Sequence, residues 1–483
     1  MGMPKNYSNF PNCPKIIQNK YFKTFRMKIS IINLLIVLVT FIIPVQAQNT
    51  ASLEWKAGVG KADITPKMAM PMAGFASRTH SSEGTLHSLW AKALALEDSK
   101  GNKAVMISSD LLGFPKDVSD RIRDRIKSKY GLDRAQILLN SSHTHSGPVI
   151  GDALMDIYVL DNQQVESIKQ YTKILEDQIV NMVGEALKNM EPAGLYAQNG
   201  VTRFQVNRRN NAANLLTQLT ELQGPNDYAV PVIKVMNAKG GIKAIAFGYA
   251  CHPTVLSGYD WSGDYPGFTQ IELEKLYPGA TALFFQSAGA DQNPLPRHTV
   301  PLAKQYGKEL AAAVERVLEE DMRKLPSGLI TSYSELNLPL ATPPTEAEYT
   351  KFIGTTTVPY QKRWAERMRG KIRSGEKLIT SYPYPVQVWS IGDQPIVSLG
   401  GELLIEYSIK IKQMLGADAF VYGYSNDVMA YVPSSLVLKE GSYEGESHTV
   451  YGLPSKWQVG IETRILNEVI KLSEKNGLIR NGK

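Results

Sequence analysis

The chain has 483 residues, of which 43% are hydrophobic and 20% are charged, and its 38 glycines and 27 prolines follow no evident period. This is the composition of a globular protein, and it excludes collagen-like, coiled-coil and largely disordered chains. A net charge of +7 would suit a nucleic-acid partner, but residues 1–47 carry six basic and no acidic side chains. The remainder is nearly neutral, so the charge does not indicate a nucleic-acid partner.

The N-terminal segment has the parts of a secretory signal. Lys28 precedes an apolar run over residues 29–43, and a small-x-small cleavage site ends at Ala47. We therefore expect a cleaved leader and signal peptide over 1–47, with Gln48 as the new N-terminus of a secreted or periplasmic protein. An uncleaved anchor is the alternative, although the apolar run is short for a membrane span.

The rest of the chain is expected to form one domain over 48–483. Cys13 leaves with the leader and Cys251 remains alone, so no intramolecular disulfide is expected. From residue 51 onward there is no low-complexity segment, no repeat of solenoid length and no flexible linker that would divide the chain. A large hydrophobic core must therefore provide the stability.

Short apolar runs alternate with amphipathic segments along this domain. Strands are predicted over 104–109, 136–139, 230–235, 242–249, 281–285 and 395–399, and helices over 116–130, 165–190, 303–320 and 403–415. The strands at 230–235 and 242–249 flank a turn and predict an antiparallel hairpin. The fold class is therefore α/β, a mixed β-sheet core flanked by helices, while the strand order stays open.

Three of the seven histidines follow predicted strands. His143 and His145 stand two residues apart, and on an extended backbone their imidazoles would point to the same side. Pro253 favours an extended backbone at His252. Binding residues collect at strand ends in α/β proteins, and neutral imidazole is the commonest protein ligand for zinc. A metal site is one interpretation, and simple hydrogen bonding within the turns is the other.

Several short strings occur in an order that resembles the neutral/alkaline, non-lysosomal ceramidase family. The strings are GVGKADITP (58–66), SDL (109–111), SHTHSGP (142–148), HPT (252–254), SND (425–427), YEG (443–445) and TVYG (449–452). The resemblance covers roughly residues 56–460, and the SHTHSGP string is its most specific part.

The resemblance implies a zinc amidohydrolase that splits the N-acyl bond of ceramide into sphingosine and a fatty acid. It implies Zn²⁺ ligands at His143, His252, Glu402 and Tyr431, and it places His145 where an imidazole shuttles a proton or binds the oxyanion. Each of the last two ligands also has a structural interpretation. Glu402 could stabilise the start of the helix predicted at 403–415, and Tyr431 could be a core residue whose hydroxyl meets a carbonyl.

Two departures from the family pattern bear on the substrate. The family has an active-site serine where this chain has Asn293, and asparagine cannot act as an acyl-accepting nucleophile. We therefore assign catalysis to water activated at the metal, with His145, Tyr431 and Asn293 as the catalytic side chains and Asn293 as a hydrogen-bond donor. The family's immunoglobulin-like C-terminal domain is also not expected here.

Three functions remain open at this point. The first is an exported ceramidase acting on ceramide or a related N-acyl lipid, with peripheral membrane contact through its substrate and no nucleic-acid partner. The second is a zinc hydrolase on the same scaffold acting on another acylated substrate such as a glycan. The third is a non-catalytic exported binding protein. The sequence leaves the oligomeric state open.

Overall fold

The strands and helices are known for residues 53–479, which the computed structural model describes; the predicted leader over 1–47 lies outside the described residues. The strands are β1 (Trp55–Asp63), β2 (Gly84–Thr85), β3 (Trp90–Glu97), β4 (Lys103–Ser109), β5 (Ile137–Ser141), β6 (Glu191–Val201), β7 (Gln205–Asn207), β8 (Ala229–Asn237), β9 (Ile242–Tyr249), β10 (Asp260–Trp261), β11 (Thr281–Gln286), β12 (Gln292–Pro294), β13 (Arg323–Lys324), β14 (Leu329–Pro339), β15 (Ser381–Ile391), β16 (Gln394–Leu399), β17 (Glu402–Leu403), β18 (Phe420–Tyr422) and β19 (Tyr431–Val432). The helices are α1 (Lys116–Tyr130), α2 (Asn162–Lys188), α3 (Asp264–Leu276), α4 (Val300–Glu319), α5 (Glu346–Thr355), α6 (Pro359–Arg373), α7 (Ile405–Leu415), α8 (Ser435–Glu440), α9 (His448–Tyr451) and α10 (Ile461–Lys475), with short 3₁₀ helices at Arg134–Gln136 and Ala213–Gln218.

The predicted α/β fold class is confirmed, and each predicted strand and helix is present. The bounds of α1 and β9 are those predicted, and β8 pairs with β9 as an antiparallel hairpin. Local signals explain the helix ends: Gly131 adopts a left-handed conformation with φ 73° after α1, and Asp161 and Gln164 form a capping box at the start of α2.

Two β-sheets form the framework. The larger sheet has the order β11-β9-β8-β6-β1-β3-β4-β5, with β13 beside β6. Its neighbouring strands are antiparallel except for the parallel edge pairs β4/β5 and β9/β11. The smaller sheet has the order β14-β15-β16-β18. The predicted mixed sheet is therefore mainly antiparallel, with a parallel pair at each edge.

The sheets and helices pack in layers. Along β3, Ala91, Ala93 and Ala95 face the core shared with α1 and α2, whereas Leu94 and Leu96 face the core shared with the smaller sheet. This alternation follows from the two-residue period of a strand. The helices α3 and α4 pack on the large sheet at the end formed by β8, β9 and β11, on the face opposite the smaller sheet. The helices α7 and α10 cover the smaller sheet. The large sheet is thus covered on both faces along most of its inner strands.

The two edges of the large sheet are brought together at the ends of their strands. Asn140, at the end of β5, donates a hydrogen bond to the Gly423 carbonyl (2.8 Å) and accepts one from the Gln286 backbone (2.9 Å) at the end of β11. One buried amide therefore joins both edges to the loop that follows β18. Residues Ala51–Lys483 form one compact unit. No helix within residues 53–479 has the length and apolar character that a membrane span requires.

Candidate metal centre and active site

His143 and His252 lie where the two sheet edges meet. The strand β5 ends at Ser141, and His143 has a left-handed backbone with φ 63°. The expected extended backbone across His143 and His145 is therefore wrong, although the turn predicted after this strand is present. The expectation that both imidazoles share one cluster is met nevertheless, since one ring nitrogen from each of His143, His145 and His252 lies within 4.8 Å of the others.

Glu402 completes this cluster from a separate two-stranded sheet. It lies in β17, which pairs in parallel with β19 so that Glu402 stands opposite Tyr431. The helix predicted from residue 403 begins at Ile405, so Glu402 precedes the helix and does not belong to its first turn. The interpretation of Glu402 as a helix-stabilising carboxylate is wrong for that reason.

The distances around Glu402 suit a tetrahedral metal ion. Its Oε2 atom lies 3.2 Å from His143 Nε2 and 3.3 Å from His252 Nε2. Ligand atoms placed about 2.0–2.1 Å from one zinc ion in tetrahedral geometry stand about 3.3–3.4 Å apart. The three side chains are buried, and Glu402 Oε2 has no hydrogen-bond donor among the described residues. The residues present therefore fit a zinc ion.

Backbone carbonyls fix the orientation of both imidazoles. His143 Nδ1 donates to the Leu112 carbonyl at 2.5 Å, and His252 Nδ1 donates to the Gly289 carbonyl at 3.1 Å. With the proton held on Nδ1, the lone pair of each Nε2 faces Glu402. This arrangement is typical of metal-ligating histidines, whose second nitrogen is held by a carbonyl or carboxylate.

The charges of the cluster also suit a cation. Burial lowers the pKa of His252 to about 4, so its ring is neutral at pH 7. Burial alone would raise the pKa of Glu402, but the neighbouring His143 and His252 hold it well below its usual value. The cluster thus offers a neutral imidazole at His252 and an ionised carboxylate at Glu402, which are protonation states that metal ligands require.

His145 lies beside this cluster. Its Nε2 is 3.3 Å from His143 Nε2, and its buried Nδ1 has no hydrogen-bond partner among the described residues. Gly74 packs against the ring so closely that a Cβ atom would lie 2.4 Å from His145 Nδ1. Burial, and then the two neighbouring imidazoles, hold the pKa of His145 well below its usual value. The ring is therefore a neutral base placed next to the candidate metal ligands.

Tyr431 lies at the same cluster, and its hydroxyl is oriented by an arginine. Arg208 Nη2 donates to the Tyr431 hydroxyl at 3.2 Å, and Arg208 Nε donates to Glu444 at 3.1 Å. Burial opposes the charge of Arg208, but Tyr431 and Glu444 hold its pKa well above its usual value. Because the Tyr431 hydroxyl oxygen accepts this hydrogen bond, its own proton is not shared with Arg208. The interpretation of Tyr431 as a core residue bonded to a carbonyl is not what the structure shows.

The sequence did not single out Arg208, Glu444 or Tyr451 as site residues. Tyr451 donates a hydrogen bond to Glu402 Oε1, so Oε2 is the oxygen left for the histidines. Glu444 and Tyr451 occurred only as letters of short strings, and nothing in the local sequence marked Arg208. These contacts join residues 223 positions apart for Arg208 and Tyr431 and 49 apart for Tyr451 and Glu402.

A cavity of about 200 Å³ opens onto the cluster. His143, His145, Glu402 and Tyr431 line it together with apolar side chains, namely Phe75, Leu112, Leu154, Ile157 and Val450. Asn293 is not among the residues that line this cavity. It lies buried in β12, next to Gln292, whose backbone carbonyl accepts a hydrogen bond from the His252 backbone. The Oδ1 atom of Asn293 has no hydrogen-bond partner within the described chain. Its assignment as a catalytic side chain stays a prediction.

Comparisons with known proteins point to one family. The model of the family described as neutral/alkaline non-lysosomal ceramidase, N-terminal, matches residues 55–318. The neutral ceramidase of Pseudomonas aeruginosa is 25% identical over 276 residues, which are 53% of this chain and 39% of that protein. Neutral ceramidase B of Dictyostelium discoideum is 26% identical over 305 residues, 57% of this chain and 42% of that protein.

Two solved structures share the fold. The crystal structure of the Pseudomonas aeruginosa neutral ceramidase superposes with a TM-score of 0.67 at 19% identity, covering 87% of this chain and 75% of that one. A ceramidase complexed with C2 superposes with a TM-score of 0.66 at 18% identity, covering 89% of this chain and 77% of that one.

The family match extends over more than half of the chain. The chain therefore belongs to the neutral/alkaline non-lysosomal ceramidase family, and the resemblance found in its sequence is confirmed. The aligned segments span less than half of the length of the two curated relatives. Glu402, Tyr431 and Tyr451 lie beyond the matched residues 55–318, so their placement comes from this structure.

Proposed function

We propose that this chain is an exported, zinc-dependent amidohydrolase that cleaves the N-acyl bond of ceramide or a related N-acyl lipid. The observation that carries the proposal is the position of one buried Glu402 oxygen, 3.2 and 3.3 Å from the Nε2 atoms of His143 and His252. Two imidazoles and one carboxylate are a ligand set used by catalytic zinc sites in hydrolases.

The reaction replaces the C–N bond of the amide with a C–O bond from water. His143, His252, Glu402 and Tyr431 would hold a zinc ion, which would supply a Lewis acid for the acyl carbonyl and a water molecule whose pKa is lowered toward neutrality. The neutral His145 accepts a proton from the attacking water and returns it to the nitrogen of the leaving amine. Arg208 donates to the Tyr431 hydroxyl and so holds that side chain at the site.

The lining of the active-site cavity suits the acyl end of a lipid substrate. Phe75, Leu154, Ile157 and Val450 give it apolar walls, while polar groups come from the candidate zinc ligands, from His145 and from Tyr360, Tyr443 and Tyr451. Alkyl chains gain about 0.8 kcal/mol for each methylene group that they bury. Such a site binds its substrate through the chain and orients the amide through a few polar contacts.

Metal content and hydrolysis measured together test the proposal. We expect about one zinc per chain in purified protein, and fatty acid released from ceramide. His143→Ala and His252→Ala should lose the metal and lower kcat/KM by at least about a thousandfold, since each removes a ligand. His80→Ala is the matched control because His80 is exposed and stacks on Tyr259, outside the cavity.

Two outcomes would contradict the proposal. One is full hydrolase activity in protein freed of metal by a chelator. The other is a His143→Ala or His252→Ala variant that keeps both its metal and its rate. Protein that binds zinc but releases no fatty acid from any N-acyl lipid would favour a non-catalytic binding protein.

A further inference from the structure

A second cavity, of about 440 Å³, lies between α5, α6 and α9, outside the candidate metal centre. This volume is in the range of small-molecule sites. Its walls combine four aromatic rings with two carboxylates: Tyr349, Phe352, Trp364, His448, Glu348 and Glu446. None of the described residues that line it is a lysine or an arginine. The lining is therefore largely apolar with two carboxylates, of which Glu446 also pairs with Lys456.

The aromatic wall is built around Trp364. Its ring meets those of Tyr349, Phe352 and His448 edge to face, with centroids 5.5, 5.8 and 5.3 Å away. Trp364 Nε1 donates to the Leu453 carbonyl at 2.9 Å, and the Tyr349 hydroxyl donates to the Pro454 carbonyl at 2.8 Å. Because the backbone uses the polar atoms of both rings, the wall offers carbon surface to an alkyl chain.

Two hydrogen-bond acceptors stand at one end of this wall. His448 Nδ1 is buried and has no hydrogen-bond partner within residues 53–479, and it lies 3.8 Å from Glu446 Oε2. The other oxygen of Glu446 accepts a hydrogen bond from Lys456 at 2.6 Å. Burial lowers the pKa of His448 to about 4, so the ring is neutral at pH 7 and one of its nitrogens accepts hydrogen bonds.

A protonated primary amine complements this pair of acceptors. It has three N–H donors and one positive charge, so it can donate to His448 Nδ1 and to Glu446 Oε2 at once. The carboxylate of Glu446 also supplies the opposite charge. A neutral alcohol of the same chain length has one donor and no charge, and it satisfies only part of the pair.

We propose that this cavity binds an amphiphilic primary amine, with its ammonium group between His448 and Glu446 and its alkyl chain along the Trp364 wall. Helix α9 separates this site from the active-site cavity: Thr449 faces the amine cavity, while Val450 and Tyr451 line the other. A long-chain amine is the class of product that the proposed hydrolysis of a ceramide releases. Only that link to the product rests on the proposed function.

Calorimetric titration of the metal-free full chain with dodecylamine and with dodecanol, below their aggregation concentrations, tests the proposal. We expect the amine to bind at least about tenfold more tightly than the alcohol, because a charge-assisted hydrogen bond is about twice as strong as a neutral one. Glu446→Gln should lower the ratio of amine affinity to alcohol affinity by about tenfold. Glu346→Gln is the matched control, since it removes a carboxylate from α5 that pairs with Arg373 and does not line the cavity.

Filling the cavity distinguishes this site from the active site. Gln361 lines the amine cavity from α6 and does not line the active-site cavity, so Gln361→Trp should abolish the binding that depends on Glu446. Amine binding that is unchanged in both Gln361→Trp and Glu446→Gln would overturn the proposal, as would equal affinity for amine and alcohol. Binding is measured without hydrolysis, so failure of the proposed enzymatic activity would not alter the result.

Discussion

Asn293 stands where the family resemblance predicts a serine, and its environment bears on that predicted departure. Its Oδ1 is buried without a partner within the described residues, beside the backbone that holds His252. Asn293 does not line the active-site cavity, so only a substrate group that reaches past the lining residues can pair with this atom. Such a pair recovers the energy of about 1–3 kcal/mol that an unpaired buried polar atom costs. We therefore expect Asn293 to change the choice of substrate and not the capacity to hydrolyse.

The substitution Asn293→Ser tests this role. Ceramide should be a weak substrate of the native protein compared with an acylated substrate that pairs with the amide, and Asn293→Ser should raise kcat/KM for ceramide relative to that substrate by about tenfold or more. The measurement is a competition between the two substrates. If native protein hydrolyses ceramide fast and the serine variant leaves the preference unchanged, position 293 does not determine specificity.

His448 makes the stability of the protein depend on pH. Burial lowers its pKa to about 4 in the folded chain, against an ordinary value of 6.5. Between these values the unfolded chain binds a proton that the folded chain does not, so the free energy of unfolding falls as pH falls from 6.5 to 4. The full shift corresponds to about 3 kcal/mol.

Comparison with His448→Gln isolates this contribution, because the other titrating groups are common to both proteins. Urea unfolding at pH 7 and at pH 4 should show a smaller loss of stability in the variant, by up to about 3 kcal/mol. The charged neighbours Glu446 and Lys456 remain in place in both. Equal losses in the two proteins would show that His448 titrates normally in the folded chain.

At the scale of elements, the loop between β18 and β19 connects the strand ends that carry the site. Asn426 in this loop has φ 66°, and its Oδ1 accepts a hydrogen bond from the Leu139 backbone in β5 at 3.1 Å. Its Nδ2 donates to Gln387 Oε1 in β15 at 2.9 Å. The loop therefore fixes the strand before His143 relative to the segment that leads to Tyr431.

Asn426 contributes two side-chain hydrogen bonds and a tolerated left-handed backbone. Asn426→Ala should lower the free energy of unfolding by about 2–4 kcal/mol, because it leaves the Leu139 N–H and Gln387 Oε1 without these partners and adds left-handed strain. Asn426→Gly removes only the two hydrogen bonds, so it should be about 1 kcal/mol more stable than Asn426→Ala. Urea unfolding measures both values. Equal stability of the two variants would show that the backbone conformation adds no strain.

Individual strands and helices differ in how far the sequence predicts them. The bounds of α1 and β9 follow from local hydrophobic periods and end signals. The histidines His143, His145 and His252 were found in short strings that follow predicted strands, whereas Glu402 and Tyr431 came only from the family resemblance. The pairing of β17 with β19 has no local signal, because each is two residues long and their side chains meet only in the folded chain. A turn after β5 was predicted, but the left-handed backbone of His143 within it was not.

At the scale of the whole molecule, the charge divides the chain into two parts. Six positive charges lie in residues 1–47, while the rest of the chain is nearly neutral. A basic segment followed by an apolar run and small residues is typical of a signal that the export machinery reads and removes. Removal would leave a body whose charge gives no attraction to anionic polymers.

Cleavage after Ala47 is the last expected outcome. Mass spectrometry of protein recovered from the periplasm or medium of an expressing bacterium should show a chain that begins at Gln48, cyclised to pyroglutamate. Ala47→Phe is the matched variant: signal peptidase requires a small residue at this position, so the variant should keep the leader. The export machinery would still recognise the unchanged apolar run, and the variant should remain attached to the membrane. Native protein that retains Met1 or Met27 would instead support an uncleaved anchor and would contradict export by cleavage.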